Sequence, residues 1–391
     1  MADQKEKALQ AHREWQGKLD VQSKARLETK EDLAIAYTPG VAEPCLKIAE
    51  NPEEAYLYTG KGNMIAVVSD GSAVLGLGNI GGLAGLPVME GKCVLFKELG
   101  GVNAIPLVLN IQDTDEIVNA IAALEPSFGG INLEDISAPR CFEIEKKLQD
   151  RMNIPVFHDD QHGTACVVLA ALINALKFTG KKKEDCKVVF SGAGAAGIAI
   201  AKLLYNYGFQ HILMSDIHGI INEENAMNET QLEMAKKGNP NNQKGTLADA
   251  MKQADIFIGV SRGNLVSPEM IESMNEDPIV FAMANPVPEI SVDEAKKAGA
   301  KVAGCGRSDF PNQINNVLIF PALFRGALDA KAIRITEGMK LAASEALADL
   351  IDPKDLREDY VIVDALDPRV KDAVAKAVAA QAKAEGVVRD A

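Results

Sequence analysis

The chain has 391 residues, of which 47% are apolar and 25% charged, and a formal net charge of −14. That length suits two packed domains at roughly 150 residues each and excludes a disordered or fibrous chain, while the acidic balance opposes the counterion release that drives nucleic-acid binding. No stretch approaches the roughly 18 uninterrupted apolar residues of a membrane span, the first thirty residues are charged rather than signal-like, and six cysteines without a Cys-x-x-Cys pair suggest neither zinc nor a disulfide scaffold. The expectation is a cytoplasmic protein with no nucleic-acid or membrane partner; the basic run Lys181–Lys183 reads as a solvated loop.

From Leu9 to about Glu31 the residues alternate at helical spacing, and Tyr37-Thr38-Pro39-Gly40-Val41 turns that arm into a loop. Strand-like runs follow at Met64–Ser69, Ala104–Leu109 and Ile154–Phe157, separated by helical segments at Thr114–Leu124 and Cys141–Arg151. A long apolar helix, roughly Gly163 to Phe178, ends at Gly180. A second strand series then runs through Lys187–Phe190, His211–Met214, Asp255–Val260 and Ile279–Met283, and an Ala-rich helical tail begins near Asn316. This alternation predicts an α/β fold with parallel sheets: an N-terminal α/β domain (residues 1–160), which its carboxylate clusters mark as a substrate and metal domain, a Rossmann-type dinucleotide-binding domain (161–315), and C-terminal helices (316–391) packing back on the first domain.

The pattern G-x-G-x-x-G occurs twice, and context separates the copies. The second, Gly192-Ala193-Gly194-Ala195-Ala196-Gly197, follows a strand, opens a helix free of internal Gly and Pro, and precedes Asp216 at the end of the next strand. Those are the parts a dinucleotide needs for its pyrophosphate and ribose. Asp216 favours NAD, because a carboxylate repels the 2′-phosphate of NADP, although His218 leaves NADP open. The first copy, Gly76 to Gly81, is followed by Gly82, Gly85 and Pro87, which should break a helix, so its glycines read as a tight bend beside a substrate pocket.

Carboxylates cluster where apolar strands end, at Glu134-Asp135 and at His158-Asp159-Asp160-Gln161-His162. Burying several anions together is costly without a cation, so their convergence points to a hard divalent ion such as Mg²⁺ or Mn²⁺. Taken singly, each pair reads slightly better as solvated acids or helix caps. The i,i+4 histidines His158 and His162 have zinc-helix spacing, yet the intervening acids argue against zinc.

Together these segments resemble the malic enzymes, particularly the short bacterial type, along essentially the whole chain. The resemblance rests on Tyr37-Thr38-Pro39-Gly40-Val41, the run ending Gly91-Lys92, Leu133-Glu134-Asp135, His158 to Thr164, the second glycine loop, Asn285-Pro286 and Asn315-Asn316-Val317. It implies Tyr37 as general acid, Lys92 as general base with Asp159 beside it, and Glu134, Asp135 and Asp160 as ligands of Mg²⁺ or Mn²⁺. It further implies Asn285, Asn315 and Asn316 as holders of substrate or nicotinamide, malate and pyruvate as substrate and product, and a homodimer in which the N-terminal arm is a plausible exchange element. One departure stands out: larger family members carry, where this chain has Ala73, an arginine for the substrate carboxylate.

The chemistry so implied is oxidation of malate at its hydroxyl carbon, loss of CO₂ from oxaloacetate, and protonation of the enol to pyruvate. A lysine base at neutral pH needs a depressed pKa, expected from burial and a nearby metal ion. Two other readings share parts of the pattern. A malolactic enzyme would retain NADH and make lactate, and a nicotinamide-binding regulator would use the glycine loop alone. A metal-free dehydrogenase would instead pair a histidine and an acid with an arginine, for which Arg140 and Arg262 are the candidates.

Overall fold

The computed structural model describes residues 2–74 and 76–389. Two sheets organise the chain. The first runs β2-β1-β3-β4 and comprises β1 (Met64–Ser69), β2 (Asn103–Val108), β3 (Gly130–Leu133) and β4 (Val156–His158), all parallel. The second runs β10-β9-β8-β5-β6-β7 and comprises β5 (Lys187–Ser191), β6 (His211–Asp216), β7 (Gly219–Ile220), β8 (Ile256–Gly259), β9 (Ile279–Ala282) and β10 (Val302–Cys305). Here the pairs are parallel except β6 with β7. Short apolar runs such as Ile-Phe-Ile-Gly in β8 and Ile-Val-Phe-Ala in β9 are buried along their whole length, as parallel strands covered by helices on both faces must be. Counted from β5, the second sheet has the doubly wound order 3-2-1-4-5-6. Its strand order reverses between β5 and β8, which opens a crevice at their carboxyl ends.

The Asp159–Thr179 helix joins the two sheets, and its stretch from Val167 to Leu172 is wholly buried. By length and composition this helix could cross a membrane, but most of it lies inside the molecule; an all-round apolar helix is equally suited to a protein core. Gly180 ends it in the left-handed region, φ 69°. The tail contributes helices Phe320–Asp329, Glu337–Ala348 and Arg369–Ala384. Phe320 and Phe324 meet Phe96 edge-on at 4.7 and 5.4 Å between ring centres, and Phe324 also meets Phe157. The buried Asn174 amide donates to the carbonyls of Ala348 and Val361, fastening the tail to the joining helix.

Two features differ from expectation. The N-terminal arm is not one helix: Ala2–Trp15 ends at Gln16 and Gly17, both with positive φ, and helix resumes only at Lys30–Ala36 and Ala42–Glu50. The segment after the first glycine pattern is a helix of 20 residues, Gly81–Gly100, despite Gly82, Gly85 and Pro87. Packing overrides propensity there. A side chain at Gly82 would strike the Leu109 carbonyl just past the end of β2, so the small residue lets the helix lie close to the sheet.

Candidate active site

β3 and β4 are neighbours, with Leu133 opposite His158. Both strands end there, so Glu134 and Asp135 leave the sheet beside Asp159 and Asp160, and acids 25 residues apart in sequence become adjacent. The Gly81–Gly100 helix supplies Lys92, whose amine lies 2.6 Å from Asp159 Oδ2 and 2.8 Å from Glu134 Oε1. Lys92, Glu134 and Asp159 are all buried, Asp159 completely. Glu134, Asp135 and Asp160 each present an oxygen within 4.8 Å of the other two. Asp135 holds a left-handed conformation, φ 54°, and its backbone N–H donates to Asp160 Oδ2 at 2.9 Å. Such a conformation costs energy unless its surroundings enforce it. Asn132 Nδ2 fixes the second oxygen of Glu134 (2.9 Å), whereas Asp135 Oδ2 and Asp159 Oδ1 are buried with no hydrogen-bond partner. Three converging carboxylates with an unpartnered buried oxygen are what an oxygen-seeking divalent cation requires, so the residues fit such an ion.

The electrostatics agree. Burial, then Asp160 and Asp159, push the Asp135 carboxyl up, against the pull of Lys92, to about 7. Burial raises Glu134 and Asp159 too, again opposed by Lys92. For Lys92 itself burial pulls downward, as expected for a base, but Asp159, Glu134 and Asp160 outweigh it and the net direction is up. Burial can prevail only where those carboxylates spend their charge on a cation. The ring of Phe320, 4.2 Å from the amine, forms the apolar wall.

The second glycine loop sits at the carboxyl end of β5, in the crevice. A side chain at Gly192 would meet the Val260 carbonyl, and one at Gly197 the carbonyl of Gly192, so both positions are restricted to glycine by close backbone approach. Ala195–Tyr207 starts without a side-chain cap, leaving its first amides, through Ala195 and Ala196, to face a phosphate. Asp216 closes β6 and accepts the His218 N–H at 2.7 Å.

The remaining residues separate clearly. Asn316 Nδ2 donates to Asp159 Oδ2 at 2.5 Å, so the tail enters the lysine–carboxylate centre. Its neighbour Asn315 turns away and caps the next turn through the Val317 N–H. Asn285 is exposed after β9, beside the cleft. Tyr37 is 67% exposed at the end of Lys30–Ala36, and its hydroxyl is hydrogen-bonded to none of the centre's groups. His158 and His162 do not pair on a metal: His162 Nε2 meets Glu145 Oε2 (2.9 Å) and its Nδ1 meets the Lys340 amine. Arg140 is already spent, on Asp70 Oδ2 (2.8 Å) and the hydroxyls of Ser72 and Ser137, next to the Ala73 turn. Asp70, Asn132 and Phe320 were not foreseen from sequence. Asp70 stands directly after a strand, where a polar residue gives a usable signal; Asn132 and Phe320 have none.

The family model described as "Malic enzyme, N-terminal domain" matches residues 16–149, and that described as "Malic enzyme, NAD binding domain" matches residues 161–383. A bifunctional malic/malolactic enzyme of Bacillus subtilis is 56% identical over 387 residues, covering 98% of this chain and 94% of the relative. An NAD-dependent malic enzyme of Geobacillus stearothermophilus is 53% identical over 374 residues, covering 95% and 78%. The crystal structure of malic enzyme from Pyrococcus horikoshii superposes with a TM-score of 0.94 at 46% identity, covering 99% of this chain and 92% of that one. Other relatives at 46–50% identity include NADP-dependent malic enzymes.

Proposed function

Because this chain belongs to the malic enzyme family, we infer that it oxidises malate with NAD or NADP and releases pyruvate and CO₂. The observation that carries the assignment of residues is the buried Lys92 amine, held by Asp159 and Glu134 beside three carboxylates that converge on one point. Lys92 Nζ takes the hydroxyl proton of malate, and Asp159, steadied by Asn316, keeps the amine aimed and balances its charge. Gly192–Gly197 and Asp216, with Asn285 at the rim, would seat the dinucleotide, which would supply the hydride acceptor. Glu134, Asp135 and Asp160 would hold Mg²⁺ or Mn²⁺, which supplies the positive charge that draws electrons into the carbonyl as CO₂ leaves. Tyr37 then gives its proton to the enol carbon, and the proton gathered by Lys92 restores it, so the reaction consumes no net proton.

Tyr37 also bears on assembly. The arm that carries it exposes Leu33, Ile35, Leu46 and Leu57, each more than half accessible, and large apolar side chains left in water at this density favour a protein interface. We take the enzyme to be a cytoplasmic homodimer in which the arms cover one another and bring Tyr37 to a lysine centre. Initial rates with malate and NAD or NADP, with and without EDTA, test cofactor, metal and reaction together; no reduced cofactor with Mn²⁺ present would end the proposal. The likeness to a bifunctional malic/malolactic enzyme favours one further outcome, lactate among the products, which chromatography of the reaction separates from pyruvate.

A further inference from the structure

Glu289 is completely buried and, among the described residues, pairs with no cation. A carboxylate in such a place is costly unless donors satisfy it, and here the donors come from two different loops. The Ser261 N–H (2.8 Å) and Ser261 hydroxyl (3.2 Å) donate to Oε1, and the Ala284 N–H (3.0 Å) donates to Oε2. Ser261 follows the end of β8 and Ala284 the end of β9. The Ser261 hydroxyl also shares a hydrogen bond (2.8 Å) with Ser191, the last residue of β5 before the glycine loop. One carboxylate therefore links three adjacent strand ends of the crevice. The chain makes room for it: a side chain at Gly259 would occupy the place of the Glu289 carboxyl group. Backbone bonds reinforce the link, from Val266 N–H to the Glu289 carbonyl and from Asn264 N–H to Pro288.

We propose that Glu289 is a positioning residue that sets the spacing of the Ser191, Ser261 and Ala284 strand ends, and thereby the affinity of the crevice for the dinucleotide. Resting on the function proposed above, this adds a residue that touches neither substrate nor cofactor. Glutamate is required because both its oxygens accept. Glutamine has the same shape but places an NH₂ group against either the Ser261 or the Ala284 N–H, so that one loop must let go. Ala284 immediately precedes Asn285, and Ser261 abuts Gly192, so release of either shifts a wall of the cofactor site.

The test is Glu289→Gln, read by titrating intrinsic fluorescence with NADH as well as by steady-state kinetics. NADH affinity should weaken about tenfold, the factor that loss of one buried hydrogen bond commonly brings, with the dinucleotide KM rising in step and kcat changing much less. Val280→Ala, a truncation in the core of the same sheet, is the control: it should lower Tm while leaving NADH affinity intact. A folded Glu289→Gln protein that binds NADH as tightly as wild type overturns the proposal. If that variant fails to fold, Ser261→Ala carries the test, with about threefold weaker NADH binding expected and unchanged binding fatal. Wild-type protein that is folded but does not bind NADH would instead refute the assigned function.

Discussion

The glycine loop draws its strand, turn and helix from one continuous stretch, Lys187–Tyr207, whereas the lysine–carboxylate centre gathers Lys92 from mid-helix and Glu134, Asp135, Asp159, Asp160 and Asn316 from the ends of other elements. The loop's chemistry belongs to its own backbone: amides at a helix start and glycines that permit close approach. The centre has no such local basis. Its geometry exists only because β3 pairs with β4, the Gly81–Gly100 helix lies tight on the first sheet, and the tail closes over both. An assembled site reports on the packing of every element that carries it, while the contiguous one depends on distant residues only through contacts that space its strand ends, as at Glu289.

The sharpest way to break this division is Lys92→Ala. Malate oxidation should fall by about 10³-fold or more, the upper range for a lost proton acceptor, while NADH affinity stays within about twofold. Steady-state rates and a fluorescence titration on the same preparation decide it; parallel loss of both would mean that the two sites are one. Tyr37→Phe comes next. An exposed residue outside the centre should leave Tm unchanged, yet enol protonation should slow by about 10²-fold, with pyruvate yield falling relative to reduced cofactor. Pyruvate formed at the wild-type ratio would remove Tyr37 from the chemistry.

The same contrast explains what the sequence made legible. Gly192 to Gly197 and Asp216 could be read directly, because the physical requirement and the residues lie together. The acids at strand ends could be read as a tendency, but neither Glu134-Asp135 nor Asp159-Asp160 alone separates a metal site from solvated carboxylates; their meeting depends on the β3–β4 pairing, which spacing does not reveal. Lys92 and Tyr37 were legible only through family resemblance. The Gly81–Gly100 helix was misread because glycine and proline were weighed by intrinsic propensity, while burial of Met89, Lys92, Cys93 and Phe96 decided the outcome. Glu289 had no signal at all, since two of its three partners are backbone amides and the third, the Ser261 hydroxyl, lies 28 residues away.

A smaller effect should appear in stability. Burial and the neighbouring carboxylates raise the Asp135 carboxyl to about 7. An acid raised in the folded state above its unfolded value stabilises below the unfolded pKa, and that contribution is lost as pH rises through the folded one. In EDTA, the Tm should therefore decline between about pH 4 and pH 7. Mn²⁺ needs the carboxylates ionised, so its stabilisation should grow over the same interval, reaching about 2.7 kcal/mol at a hundredfold excess over Kd. The glycine loop contributes nothing to this pattern. Calorimetry across pH, with and without Mn²⁺, checks it, and Asp160→Asn should abolish most of the metal's effect; a Mn²⁺ increment independent of pH would argue against carboxylate ligands.

The finest test uses two neighbours. Resemblance assigned Asn315 and Asn316 alike to substrate, but only Asn316 reaches Asp159, while Asn315 bonds the Val317 N–H and so begins the turn that leads into Phe320–Asp329. Asn315→Ala should thus behave as loss of a cap, about 1 kcal/mol of stability, with malate KM and kcat unchanged. Asn316→Ala should do the reverse, lowering kcat/KM for malate by about tenfold through a less steady Asp159, with the hydrogen bond's charged acceptor setting the size of the effect. Kinetics and thermal melts of both variants separate the roles. Equal kinetic losses would show that the tail meets the substrate along its backbone rather than through one side chain, and that adjacency in sequence, not direction in space, sets its contribution.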